Sequence, residues 1–387
     1  MWYFNSPQIV FGEDALCRLE ELHGRQAFIV TDANVQHLKL DQRVQQRLER
    51  AGIPSVVYAG VEPDPCLDTV RSIAAAMTEA QPDWIIGLGG GSCLDAAKAA
   101  WLLYERPDVD PAAINPFDTF GLRAKARLIA IPTTSGTGSE ATWAVVLTSC
   151  EEQRKLALGA RELLPDIAIV DPALVASLPP AVTADTGLDA LTHAIEGYTS
   201  TWRNDFSDGL CLKAVQLVFD YLPRAFHNGG DVEAREHMHN AAAIAGLGFG
   251  NSMTGLAHAM GHALGARLHT PHGRAVGLCL PYTIAFVARI EPDRYDDLAR
   301  VLRLNVDEAG QGAAALIAAL GRLQQALCEP ASLAELPLTR QSFEEHLPHM
   351  LANAECDSDL VTSPRVPDHD QLQRLFECAF EGKPVDF

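Results

Sequence analysis

The sequence predicts an α/β domain built on a parallel sheet, followed by an all-helical domain. In the first half, short continuous apolar runs alternate with amphipathic stretches, the pattern of strands covered on both faces by crossover helices. Beyond about Thr183 the strand signal stops, and long segments rich in Ala, Leu, Glu and Arg replace it. Pro179-Pro180 stands just before that change, so the expected division is 1–183 and 184–387. No fixed-period repeat or low-complexity tract interrupts either half.

The elements follow in order. Gln26–Asp32 reads as a strand, and a helix of the Leu40–Ala51 kind follows it. Pro54–Tyr58 is a second strand and Cys66–Ala80 an amphipathic helix. Trp84–Leu88 is a third strand, ending in glycines before a helix at Leu94–Leu103. Leu128–Pro132 and Ile167–Val170 complete the sheet. In the second half Asp205–His227, Val232–Ala245, Leu256–Leu268, Glu291–Leu302 and Ala313–Leu327 read as helices. Asn353–Asp368 reads as a surface loop before a final helix, and Trp2–Phe4 as an edge strand open to a second copy.

Composition narrows the function classes. With 387 residues, 30 Lys+Arg and 50 Asp+Glu, the net charge is −20. Nucleic acids and anionic membranes are poor partners for such a chain, because both need a basic patch. No 18-residue apolar run free of charge is present, which argues against a transmembrane helix. The N-terminus lacks a secretory pattern, and the nine cysteines form no CxxC pair. Reduced thiols in a cytoplasm are expected rather than a disulfide framework.

Two loops carry phosphate-binding potential. Gly87-Leu88-Gly89-Gly90-Gly91-Ser92 joins a strand to a helix, with Asp95 and Lys98 in the helix's first turns. Glycines let backbone N–H groups approach an anion at a helix start. The spacing is neither GxGxxG nor a P-loop, and a steric turn would look the same. Pro132-Thr133-Thr134-Ser135-Gly136-Thr137-Gly138-Ser139-Glu140 again follows a strand and is rich in hydroxyls; a helix-capping turn is the plainer explanation. Together, at the carboxyl ends of one sheet, they point to a dinucleotide cradle. Asp32, at the end of its strand, suits a ribose hydroxyl or a helix cap equally. Gly246-Leu247-Gly248-Phe249-Gly250 falls inside a helical pattern and is ascribed to helix packing.

The helical half carries the sharper chemistry. Asp189 and His193 stand at i and i+4, as do His258 and His262, so each pair shares one helix face. His272 follows on what reads as a turn. His193 has a plain alternative, pairing with Asp189 or Glu196, and His269 and His272 have one as ordinary loop histidines. The conjunction nevertheless favours a metal, since so many ligand groups on Ala/Gly-rich helices are costly to bury unpaired. Imidazoles with a carboxylate suit Fe2+, Zn2+ or a similar ion, and ligand type does not choose among them.

These segments, with Thr186–Glu196 and His258-(x3)-His262-(x9)-His272-Gly273, resemble the iron-containing (group III) alcohol dehydrogenases from about Phe11 to Pro281. Ser363-Pro364-Arg365 and the last helix extend the likeness more weakly. The resemblance implies a dehydroquinate synthase-like fold: a Rossmann-like nucleotide-binding domain, a helical metal-binding domain and an active site between them. It implies Asp189, His193, His258 and His272 as metal ligands, with His262 near substrate and nicotinamide but not among them; His262 is the candidate catalytic proton relay, or else a hydrogen bond behind the ligands. It also implies cofactor contacts at Asp32, Gly89, Gly90, Gly91, Ser92, Asp95, Thr133, Thr134, Thr137 and Thr142, and at Lys155 and Val182. The acid at Asp32 implies NAD rather than NADP.

The expected reaction is hydride transfer between a small alcohol or aldehyde and NAD, with Fe2+ or another divalent metal as Lewis acid. A homodimer or higher homo-oligomer is expected. Two rivals stay open. A metal- and NAD-dependent lyase of the dehydroquinate synthase type would release no NADH and needs a basic pocket. A metal-dependent hydrolase would leave the glycine loops as mere turns.

Overall fold

The computed structural model describes residues 3–149, 154–268, 270–306 and 308–387. The chain forms two compact units, Met1–Leu178 and Pro179–Phe387.

The first unit holds a parallel sheet. Its strands are β1 (Gln8–Phe11), β2 (Ala27–Val30), β3 (Ser55–Tyr58), β4 (Trp84–Gly89), β5 (Arg127–Pro132) and, after a hairpin, β8 (Ile167–Val170). Their order is β1-β8-β5-β4-β2-β3, and every pairing is parallel. The central strands β2, β4 and β8 are buried at every residue, as continuous apolar runs in a doubly covered sheet must be. The helices are α1 (Ala33–His37), α2 (Leu40–Arg50), α3 (Leu67–Ala80) and α4 (Gly91–Glu105). Helix α4 is buried from Cys93 to Leu102, and its alanines let it lie close against β4. It starts three residues before the expected Leu94, with Gly90 as its N-cap and Gly91 opening its first turn.

Because β3 lies on one side of β2 and β4 on the other, the strand order reverses between β2 and β4. In open α/β sheets that switch point is where ligands bind, at the carboxyl ends. Asp32 follows β2, and Gly89 ends β4 and leads through Gly90 into α4. An antiparallel hairpin of β6 (Ala144–Ser149) and β7 (Arg154–Gly159), which the sequence reading did not anticipate, packs against α4.

The second unit is helical: α5 (Pro180–Thr199), α6 (Asp205–His227), α7 (Val232–Phe249), α8 (Leu256–Leu268), α9 (His272–Val287), α10 (Pro292–Val301), α11 (Gly312–Ala326), α12 (Arg340–Glu355) and α13 (His369–Glu381). Helix α5 is buried on all sides from Gly187 to Thr199, with α6, α7 and α9 packed around it. Gly246 and Gly248 lie buried inside α7, consistent with helix packing.

Four expectations need correction. The described sheet edges are β1 and β3, not Trp2–Phe4: Tyr3 and Phe4 are not in a strand, and Trp2 lies outside the described residues. The expected join at 183 falls inside the first turn of α5, because Pro179 already caps that helix. His272 is the first residue of α9 rather than part of a turn. Asn353–Asp368 is not a surface loop throughout. Its Ser358–Thr362 segment is a 3-10 turn with Asp359, Leu360 and Thr362 buried. The alternative that rested on His269 lies outside the described residues.

Candidate functional site

At the carboxyl end of β2, Asp32 takes an extended backbone and its Oδ1 accepts the Val35 N–H at 2.9 Å, capping α1. Its Oδ2 lies 3.5 Å from the Cys93 thiol, at the start of α4. Gly89 has a φ of +152°, and a Cβ there would meet Cys93 Sγ at 2.5 Å, so only glycine fits this turn. The carbonyl of Gly89 accepts the Thr133 N–H at 2.9 Å, which joins the two sequence-predicted loops directly. The methyl of Thr137 lies against Gly91, and that of Thr134 against Gly90. Ser92 Oγ accepts the Asp64 N–H at 3.3 Å, and Asp64 Oδ1 pairs with Lys155 Nζ at 2.9 Å. Gly89, Gly90, Gly91, Ser92, Thr133, Thr134, Thr137 and Lys155 thus form one neighbourhood.

Asp95 and Thr142 are committed inside the frame of that neighbourhood. Asp95 accepts Ser139 Oγ–H at 2.6 Å and Val146 N–H at 2.9 Å, while Thr142 Oγ1 lies 3.4 Å from Lys98 Nζ. Lys98, fully buried, also donates to Ser139 Oγ and the Ala144 carbonyl at 2.8 Å. Burial pulls its pKa down to about 8 and pushes Asp95 up, each partly offset by the other's charge. The ammonium ties α4 to the hydroxyl loop and to β6. Val182 stands in the other unit, in the first turn of α5.

In the helical unit Asp189, His193, His258 and His272 each offer a ligand atom, all within 4.8 Å of one another. Asp189 Oδ1 is 3.7 Å from His193 Nδ1, 3.9 Å from His258 Nε2 and 3.3 Å from His272 Nε2. The helical period puts Asp189 and His193 on one face of α5; α8 brings His258 and the start of α9 brings His272. Close approach of α9 to α5 depends on Gly273, where a Cβ would fall 1.9 Å from the Asp185 carbonyl oxygen. Arg274 then bridges the same turn to Glu329 at 2.7 Å and to Asp185 at 3.1 Å. The His193 ring stacks on Phe249 at 4.1 Å and on His258 at 4.5 Å.

His258 Nδ1 hydrogen-bonds Glu196 Oε2 at 2.5 Å, while Glu196 also accepts the backbone N–H groups of Gly255, Ala257 and His258. Glu196 therefore partners His258. Burial, reinforced by neighbouring His272, drives the His258 pKa far down, so its ring is neutral. Its Nδ1–H points to Glu196, which leaves the Nε2 lone pair turned to the cluster. Burial raises Glu196 to about 7, although its backbone hydrogen bonds work the other way. Asp189 Oδ1 and His258 Nε2 are buried with no hydrogen-bond partner among the described residues. Orphaned acceptors converging beside a carboxylate fit a divalent cation.

One turn along α8 from His258, His262 stacks on His272 at 5.2 Å and 19°. Its Nδ1 lies 2.8 Å from Asp357 Oδ2 and 3.8 Å from Asp359 Oδ2. Burial disfavours a charged Asp357, but the His262 charge and hydrogen bond outweigh it and hold the carboxyl below its usual range. Asp359, pressed by burial and by Asp357, rises to about 7. Sequence reading missed Asp357, Asp359 and the role of Glu196. The only signal for the aspartates was their place just before Ser363-Pro364-Arg365.

The chain is similar to known proteins along nearly its whole length. Residues 6–172 match the family model described as iron-containing alcohol dehydrogenase, and residues 183–380 the C-terminal model of the same family. The NADPH-dependent butanol dehydrogenase of Clostridium saccharobutylicum is 37% identical over 390 residues, covering 100% of each chain. The 1-propanol dehydrogenase of Citrobacter freundii is 38% identical, covering 95% of this chain and 96% of its own. A crystal structure of 1,3-propanediol oxidoreductase superposes with a TM-score of 0.92 at 32% identity, covering 98% of this chain and 100% of that one. The fold is accordingly the dehydroquinate synthase-like fold that these enzymes share. With a sheet unit, a helical unit and both family models matched in order, this chain belongs to the iron-containing alcohol dehydrogenase family.

Proposed function

We propose that Asp189, His193, His258 and His272 hold a divalent cation, Fe2+ as the family name suggests or Zn2+ in its place. With it the chain interconverts a small alcohol and its aldehyde using NAD. The observation that carries this reading is the convergence of the four ligand atoms within 4.8 Å, two of them buried without a hydrogen bond. A bound cation supplies Lewis acidity to the reacting oxygen and so favours loss of hydride from the adjacent carbon. Glu196 orients His258 for that task, and Gly273 with Arg274 set His272 in place. His262 accepts or returns the alcohol proton and exchanges it with solvent.

The loops Gly89–Ser92 and Thr133–Thr137, with Lys155, bind the dinucleotide, and Asp95 and Thr142 brace them from behind. Asp32 accepts from the ribose hydroxyls and repels a 2′-phosphate, so NAD is preferred although the butanol relative is named for NADPH. Incubating the metal-loaded protein with NAD+ and a panel of primary alcohols tests the reading through NADH absorbance. No NADH from any alcohol at full metal occupancy would return the case to a lyase or hydrolase. His262→Ala should lower turnover more than metal content; equal loss of both would move His262 among the ligands.

No described helix is long and apolar enough to cross a membrane. The cysteines in the described residues are free thiols, which fits a reducing cytoplasm. We place a homodimer contact at the β1 edge, where Phe11 is 66% exposed. Light scattering of Phe11→Lys against the parent chain tests it.

A further inference from the structure

His262 is useful as a proton carrier only if the nitrogen facing the reaction holds a lone pair when the proton arrives. An unconstrained imidazole divides its proton between Nδ1 and Nε2, and environment decides which prevails. Here the Nδ1 side meets a carboxylate: Asp357 Oδ2 is 2.8 Å away, and both side chains are about nine-tenths buried. A carboxylate accepts, so the Nδ1 position must carry the hydrogen.

The carboxylate is itself fixed. Its other oxygen, Oδ1, accepts the Asp359 N–H at 2.9 Å and caps the Ser358–Thr362 turn. That turn is clamped in place by Thr362, whose hydroxyl donates to the Thr254 carbonyl at 2.7 Å and whose carbonyl accepts the Thr201 N–H at 2.9 Å. Thr254 lies just ahead of α8, the helix that carries His262. The same short segment therefore anchors the carboxylate and the helix it serves. Asp359 Oδ2, at 3.8 Å from the same nitrogen, is too far to share the bond.

We propose that Asp357 is the positioning residue of the proton relay: it locks His262 in the Nδ1–H tautomer and leaves Nε2 as the nitrogen that takes the alcohol proton. This rests on the relay role assigned to His262 above, and the two ideas fail separately.

The test is Asp357→Asn in the full-length, zinc-loaded protein with 15N-labelled histidines, the His262 signals being identified from their loss in His262→Ala. Asparagine is as good a cap as aspartate, so its Oδ1 can keep the Asp359 N–H and the turn. Its amide nitrogen then faces Nδ1 and donates, which forces the ring into the Nε2–H form. The expected result is an exchange of the protonated and bare 15N signatures of His262. Turnover should fall about 10- to 100-fold with alcohol KM and zinc stoichiometry unchanged. In Asp359→Asn the Nδ1–H signature should persist.

Persistence of that signature in Asp357→Asn would overturn the proposal, as would its equal loss in Asp359→Asn. Loss of zinc together with turnover in Asp357→Asn would also overturn it, by making the role structural. Normal turnover in His262→Ala, with the tautomer exchange still seen in Asp357→Asn, would instead sink the relay and leave the positioning intact.

Discussion

Around Gly89–Ser92 the proposed binding groups are backbone amides and short hydroxyls on loops, whereas around Asp189 they are four side chains on helices. The sheet-edge loops spread recognition over many small donors, each worth about 0.5–1.5 kcal/mol. The helical cluster concentrates it in a few atoms that must all be within 4.8 Å of one another. The supports differ accordingly. The loops are tied from beneath by one buried cation, Lys98, with its Asp95 and Ser139 partners. The proposed ligands are set by helix approach at Gly273 and by the outer carboxylate of Glu196. One region should decline by degrees on substitution, the other at a stroke.

The largest test of that contrast sets His258→Ala against Thr134→Val. Losing a ligand should abolish stoichiometric metal binding and cut kcat/KM by at least about 10^3-fold, since Lewis acidity is worth several kcal/mol. Losing one loop hydroxyl should cost about tenfold or less, in dinucleotide KM. Elemental analysis and NADH rates read both. Next in size is metal removal. A cation present at 1,000 times its dissociation constant stabilises the native state by about 4.1 kcal/mol. Chelation should therefore speed amide hydrogen exchange in α5, α8 and α9 while β2, β4 and β5 stay protected. Smaller again, Glu196→Gln should weaken metal affinity about 10- to 100-fold by loosening the His258 ring. Gly273→Ala should do likewise through displacement of His272, with dinucleotide affinity untouched in both. Competition with a chromogenic chelator measures them.

The same contrast explains what the sequence disclosed. Strands β2, β4, β5 and β8 were legible because burial on both faces writes an unbroken apolar run. The Asp189/His193 and His258/His262 pairs were legible because a helix writes contact as i, i+4. His272 was visible as a residue but not as the start of α9, because the preceding Pro271 reads as a turn. Glu196 lay inside a recognisable segment, yet its bond to His258 spans 62 positions and leaves no local period. Asp357 and Asp359 were hidden among Ser, Pro and Asp residues that resemble a solvated loop; packing of their turn on α8, with Thr362 bonded to Thr254 and Thr201, leaves no local sequence signal. The β6–β7 hairpin was missed because part of it is polar and its anchor on α4, Lys98, lies 46 positions before Ala144.

The smallest expected effect concerns coenzyme choice, where the proposed role gives Asp32 two tasks for its two oxygens. Oδ1 caps α1 through Val35, and Oδ2, held only loosely by the Cys93 thiol at 3.5 Å, is the one able to meet a ribose. Serine retains a capping oxygen, so Asp32→Ser should leave folding nearly unchanged, whereas Asp32→Ala should cost about 1 kcal/mol. Both variants remove the negative charge that opposes a 2′-phosphate and the acceptor that favours a 2′-hydroxyl. The NAD+ to NADP+ ratio of kcat/KM should fall about tenfold or more, equivalent to about 1.4 kcal/mol. If Asp32→Ser leaves that ratio unaltered, the acid serves as a cap alone, and coenzyme choice lies elsewhere in the loops.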